Sequence, residues 1–199
     1  FLPSAIQRTR ASSQYRMDMT NSTIFMKLVG RSNLLGDFEL FTSADWRGDG
    51  MGLKLQNAYM KTKYITIGYT VGSFMDIAAV PVTIDYGGPC GMTFYRSTQV
   101  QFKYGFDFGL SMGIGLEVPD VRAPENDDIS LDAQRLPAIP LFVQYNLGGW
   151  SGNHIRLGAI MRDISYVDNI TGEDNDKVGW GAQASMLATI GKLQLKGQF

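Results

Sequence analysis

Between Phe106 and Glu117 the chain reads FDFGLSMGIGLE, in which Phe106, Phe108, Leu110, Met112, Ile114 and Leu116 interleave with Asp107, Gly109, Ser111, Gly113, Gly115 and Glu117. A repeat of two over that length specifies a β-strand with one apolar and one polar face. Strands of water-soluble sheets run about 5 to 6 residues, whereas a tilted strand crossing an outer membrane needs about 9 to 11. The length favours a membrane barrel over a soluble sandwich.

Composition is compatible with that reading. The 199 residues carry a net charge of -1, are 44% hydrophobic and have a mean hydropathy of -0.09. A barrel turns only every second residue to lipid, so its average hydropathy stays near that of a soluble protein. Twenty-three glycines and 12% aromatics suit tight turns and interfacial rings. The near-balanced charge argues against a nucleic-acid partner. Cys90 is the only cysteine, so no internal disulfide forms.

Ten candidate strands are predicted, at 14–29, 37–46, 52–60, 64–71, 97–104, 106–118, 138–146, 154–163, 178–189 and 192–199. Short turns (30–36, 61–63, Gly105, 147–153, 190–191) alternate with connectors that are mostly longer (47–51, 72–96, 119–137, 164–177). Outer-membrane barrels have this habit, the long loops lying outside the cell. A Greek-key sandwich has no reason to alternate its loop lengths. If the first strand descends to a periplasmic turn, the tenth ascends, whereas barrels keep both termini periplasmic with an even strand number. The expectation is a single barrel domain over 1–199 that is an internal piece of a longer chain.

Period two also sorts the side chains by face. Asp37, Glu39, Phe41, Ser43 and Asp45 oppose Phe38, Leu40, Thr42, Ala44 and Trp46, and Lys54, Gln56 and Ala58 oppose Leu53, Leu55 and Tyr59. Gln99, Gln101 and Lys103 oppose Val100, Phe102 and Tyr104, while His154, Arg156, Gly158 and Arg162 oppose Ile155, Leu157, Ala159 and Met161. Lys192, Gln194, Lys196 and Gln198 oppose Leu193 and Leu195. Burying such charges in a dry core is costly, so the charged face is expected to be wet, as a lumen is. Trp46, Tyr59, Tyr64, Phe102, Tyr104 and Trp180 fall on the other face near strand ends, where an aromatic girdle sits. The first strand changes parity, which predicts either a bulge near Asn21 or two separate strands.

The run LGDFELFTSADWRGDG, followed by LKLQNAY, ITIGYTVGSFMD, VPVTIDYGGPCG and FYRSTQVQFKY, resembles the DcaP-like trimeric porins, which are related to the phosphate-selective porins. The matching positions are Asp45-Trp46, Ala58-Tyr59, Gly68, Ser73-Phe74-Met75-Asp76, Asp85-Tyr86-Gly87-Gly88-Pro89 and Arg96. Leu116-Glu117-Val118-Pro119 and Met161-Arg162-Asp163 follow. The likeness covers most of residues 15–198 and rests on order and spacing.

The resemblance implies an all-β, transmembrane antiparallel β-barrel of about sixteen strands. It implies a homotrimer in the Gram-negative outer membrane, in contact with the lipid bilayer and lipopolysaccharide. The long loop folds inward, and small anionic solutes, dicarboxylates among them, diffuse through passively. No cofactor and no catalysis are implied. Ser43 stands where the family tends to place an acid, and Gln56 and Asn57 where Arg and His are common, so the pore is less densely charged than in relatives.

The 72–96 segment is the candidate constriction, being long, poor in charge and rich in small residues. Folded inward it would set Asp76 and Asp85 opposite Lys27, Lys54, Arg96 and Lys103, a transverse field that orients charged solutes. The other reading is an extracellular loop held down by salt bridges. Arg156, Arg162, Lys192 and Lys196 read either as an anion-guiding tract or as wall charges that balance Asp37, Asp45, Asp107 and Glu117. Gly109, Gly113 and Gly115 leave room on the wall for an inward loop. His154, the one histidine, lacks the partners of a metal site or a catalytic Cys-His pair. The acidic stretch 168–176 lacks the ligand spacing of a calcium loop. A second function class is a plugged barrel that serves as a scaffold in an envelope complex.

Overall fold

Each alternating stretch forms a strand, and each strand pairs antiparallel with its neighbour. In the computed structural model, which describes residues 19–80, 93–119, 121, 128–132, 134–148 and 152–199, the order is β1 (Thr23–Ser32), β2 (Gly36–Asp45), β3 (Lys54–Thr62), β4 (Ile65–Val71), β5 (Arg96–Gly105), β6 (Leu110–Glu117), β7 (Ile129–Leu131), β8 (Ile139–Asn146), β9 (His154–Asp168), β10 (Glu173–Ile190) and β11 (Leu193–Gln198). Ten of them make one meander, β1-β2-β3-β4-β5-β6-β8-β9-β10-β11, and β7 pairs with β9. Among the described residues the sheet is not closed, and β1 and β11 are its edges. Among the described residues no helix is long and apolar enough to cross a membrane, a fact silent about strands.

Three local expectations change and one feature is new. The turn before β6 is not Gly105 alone but Phe106–Gly109, closed by Phe106 N–H to Leu110 C=O (2.7 Å) and Gly109 N–H to Phe106 C=O (3.1 Å). The connector expected at 164–177 is instead the end of a long hairpin, with Asp168 paired to Glu173. The 119–137 connector contains β7, which adds a short third strand to that hairpin through Ser130 and Val167. The interruption foreseen near Asn21 is a turn, Ser22 N–H to Met19 C=O (2.9 Å), after which β1 begins at Thr23, while residues 1–18 lie outside the described residues; an unforeseen bulge lies between β2 and β3, where the register skips Gln56.

The bulge turns Tyr59 over. Past Gln56, Asn57 and Tyr59 share the face of Ser43 and Phe41, so Tyr59 donates to Glu39 (3.2 Å) and its ring meets Phe41 (5.5 Å). Tyr59 therefore leaves the girdle. Tyr64, Phe102, Tyr104, Phe106 and Phe108 do form a continuous ring chain at the short-turn end.

Burial is inverted relative to a water-soluble protein. Ile114 (50%), Leu157 (60%) and Trp180 (81%) are exposed, while Gln99 (2%), Ser111 (5%) and Glu117 (1%) are buried. The buried face is covered by the segment that follows β4. A flat sheet would set β10 about 24 Å from β4. The chain from Val71 to Asp76 includes a hydrogen-bonded turn, Met75 N–H to Gly72 C=O, and reaches at most about 15 Å. Asp76 nevertheless touches Ser185 of β10 (2.6 Å), so the sheet curls toward this segment, leaving an apolar outer face and a polar inner one.

An arginine at Ile114 on the outer face is expected to cost about 2–4 kcal/mol if that face meets lipid, whereas Gln101→Arg on the inner face should change stability by less than about 0.5 kcal/mol. Thermal unfolding in lipid or detergent micelles checks the contrast. Equal costs at the two positions would contradict the assignment of faces.

Candidate functional site

Residues Gly72–Val80 form a strap across the inner face. The sequence admits it because the wall beneath is small: a Cβ on Gly115 would lie 2.9 Å from Ser73 Oγ and 3.2 Å from Pro140 Cγ. Gly158 and Gly181 sit beneath Phe74, whose ring packs with Ala138, Ile160 and Tyr95. Gly113 makes room for Phe142 instead, and Gly109 belongs to the turn. Of the three glycines expected to accommodate an inward loop, Gly115 lies under the strap.

Two carboxylates hold the strap. Glu117, at the end of β6, accepts from Ser73 N–H (2.7 Å), Ser73 Oγ (3.0 Å) and Tyr95 Oη (2.5 Å). Asp76 accepts from Ser185 Oγ (2.6 Å) and the Ala78 amide (3.2 Å), and lies 2.8 Å from His154 Nε2. His154 Nδ1 faces the Gly152 carbonyl at 2.7 Å. Further out, Arg156 donates to the Ser73 carbonyl, Lys196 to the Val80 carbonyl (3.1 Å) and Gln198 to the Asp76 carbonyl (2.8 Å). The strap is thus tied to β6, β9, β10 and β11.

Burial alone would push the Asp76 carboxyl up, but the Ser185 and His154 hydrogen bonds and the nearby Arg156 charge outweigh it and hold Asp76 below the usual carboxylate range. Burial, and then Glu117, push the Tyr95 phenol up, so it remains a donor to Glu117. Ser185, His154 and Asp76 are the residue types of a hydrolytic triad, yet the hydroxyl donates to the carboxylate and not to the imidazole. The imidazole does not reach the hydroxyl, so the Ser-His-Asp order of a hydrolytic triad is absent and the three side chains meet at the carboxylate as a clasp.

Beyond the strap a cavity of about 700 Å³ is lined by Lys54, Gln56, Tyr95, Arg96 and Arg162 among others. Arg96 Nε and Arg162 Nε are buried and hydrogen-bond to nothing among the described residues. The Arg162 guanidinium lies over the Tyr95 ring at 5.0 Å, and Arg96 over Phe94 at 4.7 Å. Toward the short turns, Arg156 (3.8 Å) and Lys103 (5.8 Å) both lie over Phe142.

The expected pairing of acids with bases comes out differently. Asp76 reaches His154 and Ser185, not Lys27, Lys54, Arg96 or Lys103, and Lys27 pairs with Glu39 at 2.8 Å. Asp85 lies outside the described residues, as does Cys90. Arg156 and Arg162 share the inner face with Lys196, but Lys192 occupies the β10–β11 turn, so these four do not form one tract. Trp46, Tyr64, Phe102, Tyr104 and Trp180 are partly or largely exposed. Sequence reasoning missed the roles of Glu117, Tyr95, Ser185 and His154. Glu117 was marked only by its place on the polar side of an alternating strand. Among the described residues no group of three or more His, Cys, Asp or Glu side chains is arranged to hold a metal.

No protein-family model and no curated protein matches the sequence. Among solved structures, the crystal structure of the outer membrane channel DcaP of Acinetobacter baumannii is similar, with a TM-score of 0.67 and 19% identity over 78% of this chain and 44% of that one. The likeness is one of fold, that of a β-barrel, and this chain spans less than half the length of the channel it matches.

A group whose folded pKa is depressed stabilises above its unfolded pKa and loses that contribution as pH falls through the folded value. The Asp76 clasp is therefore expected to hold constant stability from neutral pH down to about pH 5 and to weaken below about pH 4. Asp76→Ala leaves the buried Ser185 hydroxyl and His154 ring without their carboxylate partner, at an expected cost of about 1–3 kcal/mol, and flattens the acid slope. Thermal melts at stepped pH read both effects. An unchanged acid slope in the variant would contradict the assignment.

Proposed function

We propose that this chain forms the wall of an outer-membrane porin through which small hydrophilic anions, dicarboxylate-like in charge and size, diffuse passively past an inward strap. The carrying observation is the cavity beside the strap, where Lys54, Arg96 and Arg162 meet on a face whose outside is apolar. Rings and patches of one sign select by charge at close quarters, and clefts of one sign concentrate the opposite ion. The fold likeness to an outer membrane channel supports this reading.

Lipid tolerates no unpaired strand edge, and the edges of β1 and β11 are open among the described residues. We infer that further strands of the same polypeptide complete the ring, in a homotrimer of a Gram-negative outer membrane whose surroundings are the bilayer and lipopolysaccharide. A polypeptide purified from membranes with a mass of 22.0 kDa would contradict the added strands.

Reconstituted into planar bilayers under a KCl gradient, the protein is expected to conduct with a reversal potential of anion-preferring sign. Lys54→Glu with Arg162→Glu should move that potential to the cation side while the channel stays open. A bilayer that stays closed at all voltages would overturn the porin reading and favour the plugged scaffold.

A further inference from the structure

Glu117 is 1% exposed, and among the described residues no cation lies within salt-bridge distance of it. A carboxylate placed so is expensive unless its lone pairs are filled. They are filled from both ends of one connector. Ser73 stands two residues after β4, and Tyr95 immediately precedes β5. The two ends also meet directly, through Gly72 N–H to Tyr95 C=O (3.2 Å) and Tyr95 N–H to Met75 Sδ (3.0 Å). The Tyr95 ring lies against Gly72, where a Cβ would come within 2.4 Å of Cζ, and the same ring carries the Arg162 guanidinium.

We propose that Glu117 is a positioning residue for solute selectivity: by fixing the Tyr95 phenol it sets the ring on which Arg162 rests and so aims that guanidinium into the cavity. The role rests on the porin reading and goes beyond it, because Glu117 is itself an acid and is buried behind Tyr95 and Ser73. The sign of its effect separates positioning from simple charge. Deleting a buried negative charge beside an anion path would by Coulomb's law raise anion preference. Losing the support of Arg162 lowers it.

Reversal potentials of the full protein in a KCl gradient test the role, with Glu117→Gln, Tyr95→Phe and Ser73→Ala compared. Glu117→Gln and Tyr95→Phe are each expected to lower the anion-to-cation permeability ratio by about threefold. Ser73→Ala, whose amide still bonds Glu117, should leave it unchanged. Tyr95→Phe keeps the carboxylate and its Ser73 bonds, so it carries the test even if Glu117→Gln fails to fold. Wild-type ratios in both variants, or a raised ratio in Glu117→Gln, would overturn the proposal while leaving the porin reading intact. A wild-type protein that does not conduct would overturn both.

Discussion

Two carboxylates taken out of water, Glu117 and Asp76, organise the inner face. Among the described residues neither is held by a lysine or arginine in salt-bridge contact; each is held by hydroxyl and amide donors, with the His154 ring beside Asp76. Hydrogen bonds to charged groups are worth roughly twice neutral ones, and a buried polar group that loses its partner costs more than the bond contributed. The strap therefore has few alternatives to its docked position. Its neighbours are arranged around that fact: Gly115, Gly158 and Gly181 leave the space, and Arg156, Lys196 and Gln198 take up the strap carbonyls. With three carbonyls occupying those side chains, the cations left to line the open cavity are Lys54, Arg96 and Arg162.

The inverted distribution of side chains follows from two environments on the two sides of one sheet. Leucine and isoleucine on the outer face stay exposed because the sheet has nothing of its own to cover them. On the inner face Ser97 Oγ, Gln99 Oε1, Ser111 Oγ and both amide atoms of Gln183 make no hydrogen bond to other described residues, a pattern suited to a face turned to water. A sheet of this kind is held by its backbone ladder more than by a core, and the buried apolar cluster among the described residues joins Phe74 of the strap to Ala138 and Ile160 of the wall. Strap and wall stabilise each other there.

The alternating strands were legible because each carries its two environments in its own residues, as Ser111 to Glu117 does. Four features were not. A bulge adds one residue without altering composition, so the parity of Asn57 and Tyr59 could not be read past Gln56. In the outer part of the β9–β10 hairpin, Asp168, Glu173, Asp174 and Asp176 leave no apolar alternation, so a strand there looks like a loop. The Phe106–Gly109 turn hid in the opposite way, because Phe106 and Phe108 continue the aromatic series and with it the alternation. The Asp76 clasp joins residues far apart in the chain, and nothing local to His154 or Ser185 announces it.

In the proposed function, solutes pass a strap that stays docked. A Cβ on Gly115 would lie 2.9 Å from Ser73 Oγ, within reach of a disulfide between cysteines at the two positions. In a Cys90→Ser background, Ser73→Cys with Gly115→Cys should cross-link fully in intact outer membranes. Single-channel conductance of the cross-linked protein should then equal that of the Cys90→Ser parent. Failure of the disulfide to form, or a cross-linked conductance below that of the parent, would contradict a docked strap.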